Sequence, residues 1–180
     1  MDNAAALNSF LAGVEQRAFR MARYAVGDID EAMDIVQDAM LTLAQKYAAK
    51  PEAEWPPLFF RILRNRITDV HRRRAVRNGI FALFGGRRDA HDDVDPMDQI
   101  ADGRGAEPEF RAQLDRTTQR LEAAVAALPP RQREAFLLRV WEGFDVATTA
   151  LAMRCSEGSV KTHYSRAVHT LREQLEGDWP

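Results

Sequence analysis

The chain has 180 residues, of which 46% are hydrophobic and 29% are charged, and its formal net charge is −2. These values are ordinary for a globular protein and exclude one that binds nucleic acid through a uniformly basic surface. A single cysteine excludes an internal disulfide, and no apolar run approaches the ~20 residues that span a bilayer, so we expect a cytoplasmic protein without membrane insertion.

Hydrophobic residues at helical spacing predict two helices near the N-terminus. The first helix carries the stripe Leu7, Phe10, Val14, Ala18, Met21 and Ala25. Asp28 is the predicted N-cap of the second helix, whose apolar stripe comprises Ile29, Met33, Val36, Met40, Leu43 and Tyr47. The opposite face carries Asp30, Glu31, Asp34, Gln37 and Asp38. Two interpretations of this acidic face are open, namely a solvated surface and a docking surface for a basic partner helix.

A third helix is predicted from Pro57 to Arg74, and it is strongly basic. Residues 61–77 include seven arginines and one acid. Aromatic residues beside cations and an amide suit unstacked single-stranded bases, and here the residues concerned are Trp55, Phe59, Phe60, Arg61, Arg64 and Asn65, with Arg72 and Arg73 extending the basic surface. The alternative is that the aromatic side chains belong to the core, and we expect at least one of the two phenylalanines to do so.

Residues 78–117 are predicted to form a flexible acidic linker. The stretch 89–109 contains eight acids and one base, and the segment as a whole shows little periodicity. An apolar island at 79–86 is expected to pack onto a domain or onto a partner.

The C-terminal quarter predicts a helix-turn-helix. A helix follows Pro129-Pro130, a short one spans 145–153, and a third begins at the N-cap Ser156. The polar face of this last helix offers donors to phosphates and base edges, and a phosphate clamp is expected at the start of the preceding helix. The candidate DNA-binding residues are Arg131, Arg154, Ser156, Glu157, Ser159, Lys161, Thr162, His163 and Arg166. The alternative is an ordinary amphipathic helix with a polar outer side.

These elements predict an all-α protein made of two small helical domains. Residues 1–77 form a three- to four-helix bundle, 78–117 the linker, and 118–178 a four-helix domain with the helix-turn-helix. The last helix ends shortly before residue 180, so we expect no appended regulatory domain.

Two parts of the chain resemble the extracytoplasmic-function (ECF) sigma factors of the sigma-70 family. Residues 28–38 with 59–74 resemble the second conserved region of that family, and residues 128–162 resemble the fourth. The resemblance implies that the acidic helix docks on core RNA polymerase and that residues 50–74 open the minus-ten element of promoter DNA. The positions that match the opening pattern are Arg61, Arg64, Asn65 and Asp69. It also implies that the helix-turn-helix recognises the minus-thirty-five element, and that an anti-sigma factor is a further partner.

The chain departs from the family pattern at four positions. Arg154 stands in the turn where glycine is usual, which costs ~1 kcal/mol or more in a left-handed conformation and could shift the turn. Thr148 and Thr149 stand where an acidic residue and an aliphatic one are usual, and the polar Thr149 at an inward position is expected to weaken the small core. Leu58 replaces a usual tryptophan.

Three other functions are compatible with parts of this sequence. An enzyme is disfavoured because the four histidines lie on different elements and no cysteine accompanies them at metal-ligand spacing, so we expect no cofactor and no metal. A free-standing helix-turn-helix regulator would bind duplex DNA as a dimer without polymerase. A pure interaction module would sequester a partner. Neither of the last two requires the helix rich in arginine and aromatic residues.

Overall fold

The computed structural model describes the backbone of residues 3–83 and 108–175 and the side chains of residues 3–77 and 118–175. Within these ranges the regular structure is helical, without strands. The helices are α1 (Asn3–Val26), α2 (Ile29–Tyr47), α3 (Trp55–Leu83), α4 (Pro108–Ala127), α5 (Pro130–Val140), α6 (Val146–Met153) and α7 (Glu157–Gln174), with one 3-10 turn (Glu52–Glu54) before α3. The all-α prediction is confirmed for the described residues.

Local chemistry separates α1 from α2 as the sequence predicts. Gly27 has a φ of 78° and donates its amide to the Arg23 carbonyl at 2.8 Å, which ends α1 in a left-handed residue. The Asp28 carboxylate accepts a hydrogen bond from the Glu31 amide at 2.8 Å, so the predicted N-cap is confirmed. The inward stripe of α1 is also confirmed, because Leu7, Val14, Ala18 and Met21 are buried.

The core face of α2 differs from the predicted stripe. Ile29 and Met33 are 49% and 47% exposed, whereas the alanines Ala32 and Ala39 are completely buried. Small side chains let the neighbouring helices approach closely, and this turns the helix so that its larger residues at the start face outward. Val36 and Leu43 belong to both the predicted and the observed face.

Helices α3 and α4 extend into the segment predicted as the linker. Helix α3 begins at Trp55 and continues to Leu83, because no proline interrupts it after Pro57. Helix α4 begins at Pro108, a residue suited to a first helical position. The island at 79–86 is therefore helical as far as residue 83. Residues 84–107, which hold most of the acidic block, lie outside the described part of the chain.

The two helical units contact each other. In the N-terminal unit α2 packs against both α1 and α3, and in the C-terminal unit α7 packs against α5 and α6. Helix α3 also packs against α6, and α1 touches α4 and α5. The buried residues of both units form one continuous cluster. No helix within residues 3–83 or 108–175 has the length and apolar character needed to cross a bilayer.

Candidate nucleic-acid interface

Two capping hydrogen bonds and one left-handed residue define α6, α7 and the turn between them. The Asp145 carboxylate caps α6 by accepting from the Thr148 amide at 2.6 Å, and this hydrogen bond lowers the pKa of Asp145. Helix α6 ends at Arg154, which is left-handed with φ 49° and ψ 53°. Ser156 then caps α7 by accepting from the Ser159 amide at 3.1 Å. The arginine therefore occupies the glycine-favoured position itself, and the turn is not shifted away from it.

Thr149 fits the core of this motif despite its hydroxyl group. The residue is completely buried. Its hydroxyl donates to the Asp145 carbonyl at 2.7 Å, so the polar atom has a partner inside its own helix. The desolvation cost of burying a hydroxyl without a hydrogen-bond partner therefore does not arise.

Helix α7 presents a cationic face to solvent. Val160, Ala167 and Leu171 are buried against the rest of the unit. On the outer side Lys161, Thr162 and Arg166 are exposed, as are Ser156 and Glu157 at the start of the helix, while Ser159 and His163 are half-buried. Lys161 and Arg166 can meet phosphates or base edges in this arrangement, whereas the Thr162 hydroxyl donates to the Gly158 carbonyl at 3.0 Å.

His163 lies in an electropositive environment. Partial burial lowers its pKa, and the cationic side chains of Arg131 and Arg166 lower it further. The imidazole is therefore held neutral near pH 7, and the positive potential comes from its neighbours. A surface with this potential favours an approaching phosphate group.

Arg131 forms hydrogen bonds within the protein. Its guanidinium donates to the Glu134 carboxylate and to the Met153 carbonyl, both at 3.0 Å. It thereby ties α5 to the end of α6 and positions the turn. The side chain remains 41% exposed, so the contact with a phosphate predicted for it is still sterically possible.

The predicted aromatic platform of α3 lies in the core. Trp55 is 1% exposed, donates its indole N–H to the Tyr47 carbonyl at 3.2 Å and packs against Phe10. Phe59 and Phe60 are both buried, which confirms that at least one phenylalanine is core. Neither Trp55 nor Phe60 is accessible to a base in this arrangement, because both rings fill space between helices.

The polar residues of α3 remain near the surface. Asn65, Arg72 and Arg73 are exposed, and Arg61 and Asp69 are half-buried. Asp69 organises the end of this surface: its carboxylate lies 3.9 Å from Arg72 and its carbonyl accepts from Arg73. A basic surface therefore survives on α3 without the aromatic rings.

Arg64 is the exception among these residues, because it faces the C-terminal unit. Its Nε lies 3.7 Å from a carboxylate oxygen of Glu134, and its side chain is 22% exposed. This Nε is buried without a hydrogen-bond partner. Burial lowers the pKa of Arg64, and the Glu134 carboxylate opposes that shift. The group lines a cavity of about 160 Å³ between α3 and α5.

The acidic face of α2 is largely open. Asp30, Asp34, Gln37 and Asp38 are exposed, and exposed apolar side chains lie on the same helix, namely Ile29, Met33 and Leu41. Glu31 is half-buried and pairs with Arg74 of α3, and Asp38 lies 4.0 Å from Arg66. Two of the five predicted docking residues thus also tie α2 to α3.

The residues that join the two units were not predicted from the sequence. Arg17 of α1 donates to Glu142 at 2.7 Å, and Phe60 of α3 packs edge-on against Phe144 with ring centroids 5.7 Å apart. These partners are separated by more than eighty residues, and no local pattern marks them. The sequence did carry a weak indication that Phe60 is buried, because Phe60 has helical spacing with Leu63 and Ile67 of the predicted apolar side.

A helix-turn-helix with an exposed cationic recognition helix, joined to a second unit with a basic helix and an acidic helix, defines a DNA-binding protein of transcription. The family description Sigma-70 region 2 matches residues 11–77, and Sigma-70, region 4 matches residues 118–171. The chain is 31% identical to the RNA polymerase sigma-E factor of Streptomyces antibioticus over 84% of this chain and 74% of that protein. It is 30% identical to the ECF RNA polymerase sigma factor EcfG of Rhodopseudomonas palustris over 78% and 69%. The chain belongs to the ECF sigma factors of the sigma-70 family.

Solved structures share the fold. The sigma factor RpoE from Bartonella quintana, crystallised with the anti-sigma factor NepR, superposes with a TM-score of 0.70 at 24% identity, covering 96% of this chain and 98% of that one. CnrH, solved with the cytosolic domain of CnrY, gives a TM-score of 0.58 at 19% identity over 99% and 92%. Family membership makes this chain an initiation factor that directs core RNA polymerase to promoters, and members of this family are not enzymes.

Proposed function

We propose that the two units of this sigma factor divide promoter recognition between them. Residues 1–77 dock on core RNA polymerase and open the minus-ten element, residues 118–178 recognise the minus-thirty-five element, and residues 78–117 link the two units. The observation that carries this proposal is the order of surfaces along one chain: an acidic helix, a basic helix and then a cationic recognition helix. The protein would act in the cytoplasm, where core polymerase works.

The exposed carboxylates of α2 support the docking role. Asp30, Asp34 and Asp38 lie on one helix, and the exposed apolar residues Met33 and Leu41 share that helix. Charged groups steer a basic partner, and apolar side chains supply the area that is removed from water. This combination suits a stable complex better than a purely acidic surface does.

The polar residues of α3 support the opening role without the aromatic side chains that were predicted to share it. Arg61, Asn65, Arg72 and Arg73 reach solvent on a basic helix and can hold a displaced strand through phosphates and base edges. Base stacking on Trp55 or Phe60 would require a rearrangement, because both rings are buried.

A run-off transcription assay with core polymerase tests the proposed function. Specific product on a genomic promoter is expected only when this protein is added. The alternative, a free-standing helix-turn-helix regulator, predicts specific binding to duplex DNA by the protein alone and no product that depends on it. Tight binding of two half-sites without polymerase would favour that alternative.

The opening role makes a separate prediction for Asn65. Asn65→Ala removes an exposed amide of α3 and should lower open-complex formation about tenfold, the effect of losing one good base contact, while affinity for core polymerase stays unchanged. Permanganate footprinting measures opening, and fluorescence anisotropy measures core binding. Gln16→Ala is the matched control, because it removes an exposed amide from α1. Equal loss of opening and core binding would assign Asn65 to docking instead.

An anti-sigma factor is the further partner that we propose. Two sigma factors with this fold were solved in complex with anti-sigma factors. Binding of such a partner to both units of this chain would cover its DNA-binding surfaces together.

A further inference from the structure

A cavity of about 160 Å³ lies where α1, α3 and α5 meet. Much of its wall is apolar, and the larger apolar side chains that line it are those of Met21, Phe60, Leu63, Ile67, Leu137 and Leu138. An apolar cavity of about 150 Å³ inside a protein is large enough to hold benzene. The cavity therefore has the size of a small organic molecule, and it is too small for a helix of a partner protein.

The charged groups that line this cavity are mostly cationic. They are the guanidinium groups of Arg64, Arg131 and Arg133 and the carboxylate of Glu134. The carboxylate already accepts a hydrogen bond from Arg131 at 3.0 Å. The cavity therefore keeps an excess of positive charge, which a ligand with one negative charge would offset.

Arg64 has an unsatisfied donor at this cavity. Its Nε is buried without a hydrogen-bond partner, and the Glu134 carboxylate at 3.7 Å is beyond hydrogen-bonding distance. A buried donor without an acceptor is costly, and an anionic acceptor forms a stronger hydrogen bond than a neutral one. Burial also lowers the pKa of Arg64, because the charge of Glu134 does not offset the loss of water.

The cavity opens to solvent along α3. Thr68 and His71 line it and follow Arg64 by one and two helical turns, and both residues are exposed. The Thr68 hydroxyl donates to the Arg64 carbonyl at 2.9 Å, so that this part of α3 keeps its helical hydrogen bonding at the opening. A small molecule can therefore enter without the unfolding of a helix.

We propose that this cavity is a binding site for a small apolar acid, a molecule with one carboxylate or phosphate group on an apolar body about the size of a benzene ring. The anionic group lies against Arg64, and the apolar body lies against the side chains of the three helices. Water alone would satisfy the guanidinium but would leave the apolar wall hydrated, whereas the acid removes that wall from water as well. The inference does not depend on the proposed function, because binding is measured without polymerase or DNA.

An NMR titration of the full-length, methyl-labelled chain with sodium benzoate tests the site. We expect a Kd of about 0.1–1 mM, which is typical of an efficient ligand of this size. The methyl groups of Leu63, Ile67 and Leu137 should shift, because their side chains line the cavity. Phenyl phosphate in place of benzoate distinguishes the two anionic groups.

Two further molecules separate the contributions of charge and ring. Benzyl alcohol has the ring without the charge, and acetate has the charge without the ring. Each should bind at least about tenfold more weakly than benzoate, because each forms only one of the two interactions.

Two variants with matched controls locate the binding site. Arg64→Gln should weaken benzoate binding at least about tenfold, whereas Arg66→Gln, which changes a half-buried arginine of the same helix outside the cavity, should leave it unchanged. Ala25→Leu fills part of the cavity from α1 with Arg64 in place, and it should weaken binding by at least as much. Ala44→Leu, at a half-buried alanine of α2 outside the cavity, is its control. Far-UV circular dichroism and thermal unfolding verify that each variant is folded.

The inference holds if an acid shifts the methyl groups of the cavity and both cavity variants lose binding. Absence of binding by both benzoate and phenyl phosphate at about 10 mM, tenfold above the weakest expected Kd, would overturn it and would leave water as the only occupant. Binding that persists in Arg64→Gln and Ala25→Leu, with shifts confined to methyl groups of α7, would also overturn it, since the acid would then meet only the exposed cations of that helix.

Discussion

Arg154 is the clearest point at which this chain departs from the preference of the backbone. Its φ of 49° places a residue with a Cβ atom in the left-handed region, where the Cβ approaches the following carbonyl oxygen. This conformation costs about 1–2 kcal/mol for a residue other than glycine. Replacement by glycine removes that cost. The greater conformational freedom of glycine in the unfolded chain lowers the resulting gain in the free energy of unfolding by about 0.5–1 kcal/mol.

Arg154→Gly should therefore stabilise the protein by about 0.5–1 kcal/mol relative to Arg154→Ala. The alanine variant is the proper reference, because it loses the same exposed guanidinium and keeps the strained backbone. The comparison also cancels a charge effect, since both variants lose the positive charge of Arg154, which adds to the burial that lowers the pKa of Arg64. For a chain of this size the difference corresponds to about 1–4 °C in the midpoint of thermal unfolding.

Urea denaturation and differential scanning calorimetry of the two variants measure this difference. Gly143→Ala provides the reverse experiment: its φ is 65°, and an added Cβ would meet no atom within 4 Å, so only the backbone is strained. We expect that variant to be less stable than the wild type. An Arg154→Gly protein that unfolds at lower urea than Arg154→Ala would refute the argument from backbone strain.

Two further predictions concern charged groups. Lys161→Ala should reduce the slope of log affinity against log salt by about 0.9 for promoter binding by the holoenzyme, so that the loss of affinity between about 50 and 200 mM salt is about 3.5-fold smaller. Lys46→Ala, which removes an exposed cation of α2, is the control. Equal slopes for the two variants would show that Lys161 does not contact DNA. Burial raises the pKa of Glu134 above its usual 4.5, with hydrogen bonding and charge from Arg131 and then charge from Arg64 opposing the shift. Its contribution to stability is therefore fully present below the unfolded pKa and is lost as pH rises through the folded pKa. Relative to Glu134→Gln, the wild type should lose stability between pH 4.5 and 7 in urea titrations, and a relative gain over that range would contradict the assigned cause.

Elements defined by neighbours in the chain were predictable. Asp28 and Ser156 cap their helices because a short oxygen-bearing side chain can reach an amide three residues ahead, whatever the rest of the fold does. The helix-turn-helix followed from such caps and from the apolar spacing of α7. The end of α3 was harder to place, since Asn78 and Gly79 have low helix propensity and yet the helix continues to Leu83.

The orientation of helices could not be obtained in the same way. The predicted stripe of α2 selected the larger residues, yet close packing buried Ala32 and Ala39 and exposed Ile29 and Met33. The aromatic residues at the start of α3 have an equivalent ambiguity, because a ring beside an arginine suits a base as well as a neighbouring helix. Only the neighbouring helices settle which of the two is present.

Chain order and local spacing were enough to establish an all-helical protein with a basic helix, an acidic helix and a recognition helix, because hydrogen bonds within a helix and its caps depend on residues a few positions apart. Tertiary structure alone decided that Arg17 meets Glu142 and that Phe60 meets Phe144. Contacts over such separations depend on how complete surfaces fit and on which charges lose water. Those quantities exist only once the two units are folded and placed together.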